Sequence, residues 1–132
     1  MKAIVTWWSH EDGVAVNDVA ELDHVIDDVI KSECREYPTV LEIRANGYLF
    51  SIAVGLAESF IQISCDSDLS SYFAAVWDKN APDNDTLNFY FQGLHHTEIR
   101  RRNILPSTVA RELARSFVLS GTIPKEVEWE KQ

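Results

Sequence analysis

The chain has 132 residues, 45% of them hydrophobic and 25% charged, which suits one domain with a single core and excludes a disordered chain. Twelve Lys and Arg against twenty-one Asp and Glu leave a net charge of −9 at pH 7, a surface that repels nucleic acid and steers toward basic partners. No apolar run reaches the length of a membrane span, and Trp7-Trp8-Ser9-His10-Glu11 interrupts the start too soon for a secretory signal, so a cytoplasmic protein with no membrane partner is expected.

Residues 3–8 alternate, Ala3, Val5 and Trp7 on one side and Ile4, Thr6 and Trp8 on the other, as a strand does. Only one of the two tryptophans can face a core; the other is expected under a loop or on a contact surface. Ser9–Gly13 reads as a turn. Asp18 then opens a helix, with Glu21 three residues on in capping-box spacing. Val19, Leu22, Val25, Ile26, Val29 and Ile30 form its apolar stripe, while Asp23, Asp27 and Asp28 fall on the solvent side. Asp27 and Asp28 lie too late to serve the helix dipole, so solvent or a partner must account for them.

Pro38 closes the helical region, and strands follow at hairpin spacing. Val40–Ala45 and Tyr48–Leu56 flank Asn46-Gly47, the strongest two-residue hairpin signal. A turn near Ala57-Glu58 leads to Phe60–Cys65. Asp66-Ser67-Asp68 connects to a strand over Ser71–Trp77, and the polar stretch Asp78–Asp85 is the longest loop. Cys34 and Cys65 lack ligand spacing and read as small buried hydrophobes.

Thr86–Gln92 reads as the last central strand, followed by a polar connection, His95-His96-Thr97-Glu98, and by Arg100-Arg101-Arg102. From Pro106, suited to a first helical turn, Val109, Leu113 and Phe117 recur every four residues beside Ala110 and Ala114. Gly121 is the natural left-handed cap, Pro124 stops continuation, and Val127-Glu128-Trp129 is a short terminal strand. Sequential hairpins require an antiparallel sheet, and helices must cover its apolar face. The expected fold is a single α+β domain over 1–132, with about six or seven strands and two helices packed on them.

The order Tyr90 and Gly93, Leu105-Pro106, Phe117, Gly121, Pro124, Val127 and Trp129 resembles the C-terminal signature of immunity protein family one of bacterial polymorphic toxin systems. The resemblance implies a protein that binds and neutralises a cognate toxin, with a deaminase-fold toxin as the leading partner. It maps onto fold positions, so no contact residue is taken from it.

Chemistry finds little support in the residues. Ser9-His10-Glu11 is contiguous and cannot adopt triad geometry, and there is no Gly-x-Ser-x-Gly elbow or Gly-rich phosphate loop. Adjacent histidines at 95 and 96 point to opposite sides of an extended chain, and Asp66 to Asp85 lack a calcium-loop pattern. The expectation is therefore no enzyme, no metal and no cofactor. Arg100–Arg102, in a chain so acidic, reads as a solvated run or as pairing with the acidic helix rather than as a nucleic-acid site.

Tight inhibitors use aromatic anchors among polar residues. The spare aromatics are Trp7 or Trp8, Tyr48, Tyr72 and Trp77, and Asp66, Asp68 and Asp78 neighbour the last two. Asp66, Asp68, Tyr72, Trp77 and Asp78 are the expected toxin-binding residues, meeting a basic substrate cleft. The rival reading is a small ligand-binding or scaffold α+β protein unrelated to toxins; it needs a polar constellation in a pocket, or a genome without an adjacent toxin gene. Replacing Asp66, Asp68 and Asp78 together with Asn is expected to slow association with the toxin, most at low salt, in stopped-flow binding; an unchanged rate would remove these three from the contact.

Overall fold

A computed structural model describes residues 2–34, 37–91 and 95–132. In chain order the elements are β1 (Ala3–Trp7), β2 (His10–Val16), α1 (Val19–Glu33), β3 (Thr39–Ala45), β4 (Tyr48–Val54), β5 (Glu58–Ser59) and β6 (Ile61–Cys65). They continue as β7 (Asp68–Val76), β8 (Thr86–Phe91), β9 (His95–Arg100), a 3-10 turn at Arg101–Asn103, β10 (Leu105–Pro106), α2 (Ser107–Ser120) and β11 (Glu128–Lys131). Seven strands form an antiparallel sheet in the order β11-β7-β6-β4-β3-β1-β2, and β10-β5 and β8-β9 make two small pairs. The expected α+β architecture is what the chain adopts.

Local chemistry sets most element ends. The Asp18 carboxylate accepts the Glu21 N–H at 2.8 Å, and the Glu21 side chain reaches back to the Asn17 N–H at 3.0 Å, closing the start of α1. Asn46 and Gly47 take φ of 52° and 81°, the two left-handed residues that a tight β3–β4 turn requires. Gly121 takes φ 70° and its N–H donates to the Phe117 carbonyl, ending α2. Pro106 lies one position earlier than expected, capping α2, because Leu105-Pro106 pairs with β5.

Both helices lie on one face of the sheet. Leu22, Val25, Ile26 and Val29 of α1, with Ala110, Leu113, Ala114, Phe117 and Val118 of α2, bury against Leu41, Ile43, Phe50, Ile52, Ile61 and Ile63. Phe117 stacks on Phe50 with ring centroids 5.0 Å apart. Ala53 and Val40 alternate with residues of that core and so point the other way. There they join Phe60, Phe89, Phe91, Ile99 and Ile104 in a second cluster, with β8 and β9 laid across it. The molecule thus has three layers: helices, sheet and hairpin.

Several expectations are corrected by this arrangement. The residues read as a turn, Ser9–Gly13, instead begin β2 at His10, and the turn is Trp8-Ser9. Thr86–Gln92 is not a central strand: β8 pairs only with β9, outside the main sheet, and Gln92 and Gly93 lie outside the described residues. The polar connection His95–Glu98 is strand β9, in which Ile99 is buried and His96, Glu98 and Arg100 are exposed. The strand read from Ser71 begins at Asp68, because the ladder with β6 continues to Cys65. Cys65 is exposed and Cys34 half-buried, so neither is a buried core thiol. Of the paired tryptophans, Trp7 packs against the core and Trp8 is exposed.

Truncating Phe117 to Ala removes the ring that joins α2 to the sheet. The expected cost is about 3–5 kcal/mol, read as a lower guanidinium midpoint with an unchanged slope.

Candidate functional site

The five residues expected from sequence are all on or beside β7, but the structure divides them. Strand β7 spans about 27 Å at the usual rise per residue. Asp66 and Asp68 sit at its start, near the Asn46-Gly47 turn, whose Gly47 carbonyl accepts the Asp66 N–H at 2.8 Å. Trp77 and Asp78 follow its far end. Tyr72 pairs with Ser64 and faces away from the helices, lining a narrow cleft under the β8–β9 hairpin with Gln62, Glu98 and Arg100. Trp77, five residues on, has the opposite parity and faces α2. The structure therefore brings Trp77 to Asp78 and Asp66 to Asp68, and places Tyr72 on the other face from Trp77.

Their local bonds also differ. Asp66 lies 3.4 Å from the Arg44 guanidinium, and Asp68 accepts the Ser70 hydroxyl at 2.6 Å and its N–H at 3.2 Å. The Asp78 carboxylate accepts the Asn80 N–H at 3.2 Å and its carbonyl accepts the Ala81 N–H at 3.1 Å, both within its own loop. The N–H groups of Trp77 and Asp78 both donate to the Arg102 carbonyl, at 2.8 and 3.2 Å, and this fixes the chain as it leaves the sheet.

Trp77 is 51% exposed and stands over a groove of about 460 Å³. Val109, Leu113 and Leu119 of α2 and Val127 line it, and Glu112 and Glu126 stand among them. With Ser116, which also lines it, Val109, Glu112 and Leu119 recur at spacings of three and four, which puts them on one flank of the helix. Leu119, 75% exposed, has no core to fill there. Leu119, Glu112 and Glu126 were missed by the sequence reading. The available signal was an apolar residue on the polar side of the wheel, away from the Val109–Leu113–Phe117 stripe.

The carboxylates near this groove are held by specific partners. Glu126 accepts the Ser116 hydroxyl at 2.9 Å. Arg115 bonds Glu112 on one side and is gripped by both oxygens of Asp23 at 2.9 and 3.0 Å on the other. The Asp23 hydrogen bond raises the Arg115 pKa above its ordinary value, with desolvation opposing it. Arg111 binds Asp27 at 2.8 Å, so the late acid of α1 serves α2 rather than solvent.

The arginine run pairs elsewhere than expected. Arg101 bonds Asp85 at 3.1 Å, and Arg102 bonds Asp83 at 3.1 Å and Glu130 at 3.0 Å. It thereby ties the 78–85 loop to β11, leaving the acidic helix to Arg111 and Arg115. Asp83 and Asp85 are paired with arginines of this run, whereas Asp78 has no cationic partner among the described residues.

The family model for immunity protein Imm1 matches residues 10–131. The chain belongs to this family. No curated protein matches it. Membership supports a role in immunity against a toxin, and so a cognate toxin as partner. Several residues that carried the resemblance are structural: Leu105 and Phe117 are fully buried, Gly121 caps α2, and the Trp129 indole donates to the Pro124 carbonyl at 2.7 Å. Tyr90 is instead exposed and stacks on His96, and Gly93 lies outside the described residues. Of the signature positions, Val127 reaches the Trp77 groove.

Replacing Leu119 with Ser is expected to change stability by no more than about 0.5 kcal/mol in denaturant unfolding, as for other surface positions. A loss of core size would show that the groove is part of the interior.

Proposed function

We propose that this immunity protein neutralises its toxin by one-to-one binding, with Trp77 as the anchor and Asp78, Glu112 and Glu126 around it. The observation that carries this reading is a half-exposed tryptophan over an apolar groove with carboxylates at hand, in a chain of net charge −9. Desolvating a large aromatic side chain in a partner's pocket supplies binding energy, and a ring of polar contacts keeps water from it. Carboxylates facing a basic partner speed the encounter.

The proposed partner is a deaminase-fold toxin whose cleft is basic because its substrate is a nucleic acid or nucleotide; the resemblance of the C-terminal signature supports this choice. Covering that cleft would exclude substrate without any chemistry from the inhibitor. Asp66, Asp68 and Tyr72 belong to the proposed contact only if the toxin wraps the β7–β11 edge, since they lie on the far face or at the far end of β7.

Co-expression with the toxin domain encoded beside this chain should rescue growth and yield a one-to-one complex. Trp77→Ala should weaken that complex by about 2 kcal/mol, roughly thirtyfold in Kd by calorimetry, while the free protein stays folded. Affinity within twofold of the parent would move the anchor away from Trp77.

A further inference from the structure

The opposite margin of the sheet has features that the Trp77 groove does not explain. Strand β2 is the last in the sheet order and pairs only with β1. Its register with β1 is regular from Ala3↔Val16 to Val5↔Val14 and then jumps to Trp7↔His10, so Glu11, Asp12 and Gly13 oppose Thr6 alone. Gly13 takes φ +82°, and a Cβ there would lie 2.7 Å from the Ile4 side chain and 3.0 Å from that of Thr6. The bulge therefore needs glycine and confines the regular free edge to the end of the strand near Val14–Val16.

A groove of about 410 Å³ runs between β2 and α1, floored by Val14, Val16 and Val25 and rimmed by Asp18 and Glu21. A further strand hydrogen-bonded to β2 would continue the sheet by one place and set its alternate side chains into this groove. Trp8, 53% exposed, stands at the β1–β2 turn at the other end of the same hairpin.

Charge selects the occupant. Residues 2–34 carry eight carboxylates (Glu11, Asp12, Asp18, Glu21, Asp23, Asp27, Asp28 and Glu33) and two lysines, Lys2 and Lys31. Arg111 and Arg115 pair with Asp27 and Asp23, His24 lies 3.4 Å from Asp28, and Glu33 accepts the Ser9 hydroxyl, so the charge that selects an occupant is that of Glu11, Asp12, Asp18 and Glu21. Residues 66–102 hold six carboxylates and four cations, with Arg100–Arg102 bonded to Asp83 and Asp85. The excess negative charge thus lies at the β2–α1 margin. A second copy would bring the same acidic edge and another −9 chain against it, which disfavours self-pairing.

We infer that the free edge of β2 accepts an extended segment of the toxin in strand addition, with aliphatic side chains entering the Val14–Val25 groove and basic residues at the ends of the segment, near the groove rim at Asp18 and Glu21 and near the bulge acids Glu11 and Asp12. The inference rests on the immunity reading. It assigns to backbone pairing a share of the binding that the side chains around Trp77 do not provide.

Hydrogen exchange on the purified complex with the neighbouring toxin domain tests it. Backbone amides within residues 13–16 that exchange fast in the free protein should slow by at least about tenfold in the complex. The pair Glu11→Lys with Asp12→Lys, both exposed and away from the core, should slow association by about tenfold at low salt and converge on the parent at high salt. A stable complex in which these amides are unprotected and the lysine pair binds at the parent rate would overturn strand addition and leave the immunity reading standing. Absence of any complex with the parent protein would overturn both.

Discussion

Strand β4 is apolar on both faces, and the rest of the molecule follows from the need to cover it twice. Phe50, Ile52 and Val54 require one cover, and the antiparallel pair α1 and α2 supplies it, with Phe117 stacked on Phe50. Ala53 requires another, which comes from β8 and β9 through Phe89, Phe91 and Ile99. A central strand leaves little choice here, because backbone pairing consumes its edges and burial must take both faces. Two covers centred on β4 do not extend to the margins of a seven-stranded sheet. The Trp77 groove and the free edge of β2 lie at the two sides, and a further groove stays open at the end of β4 beside Ile52, Val54 and Leu56.

Charge inside the molecule is used to lock layers together rather than to decorate them. Arg111 and Arg115 join α2 to α1 through Asp27 and Asp23, and Arg101 and Arg102 join the 78–85 loop and β11 to the 3-10 turn. Each such pair is partly exposed and worth little alone, but each is between elements distant in sequence.

The family signature and the proposed contact rest largely on different residues, with Val127 in both. The signature positions include a stacked core ring, a left-handed cap and an indole bonded to a carbonyl, each demanded by packing or backbone geometry. Trp77, Leu119, Glu112 and Glu126 carry no such demand, since exposure leaves their identity free of packing. If the proposed contact holds, a scaffold shared by a family can present a different rim to each toxin.

The local signals were all in the sequence: the Asp18–Glu21 cap, the Asn46-Gly47 turn, the α2 stripe, Gly121, and the alternation of β3, β4 and β6. Each acts over at most a few residues, so a residue's neighbours in the chain are enough to decide it. Even the division of Tyr72 from Trp77 was legible, because five is an odd number of steps along a strand. What tertiary structure alone decided was pairing at a distance. Strand β8 reads like a core strand because Phe89 and Phe91 are buried, yet it lies across the sheet rather than in it. Arg100–Arg102 found Asp83, Asp85 and Glu130 instead of the acidic helix, since only the folded register brings those carboxylates within reach. Leu119 became a contact candidate because α2 docks with its other flank on Phe50, and docking direction is set by the sum of core contacts rather than by any single residue.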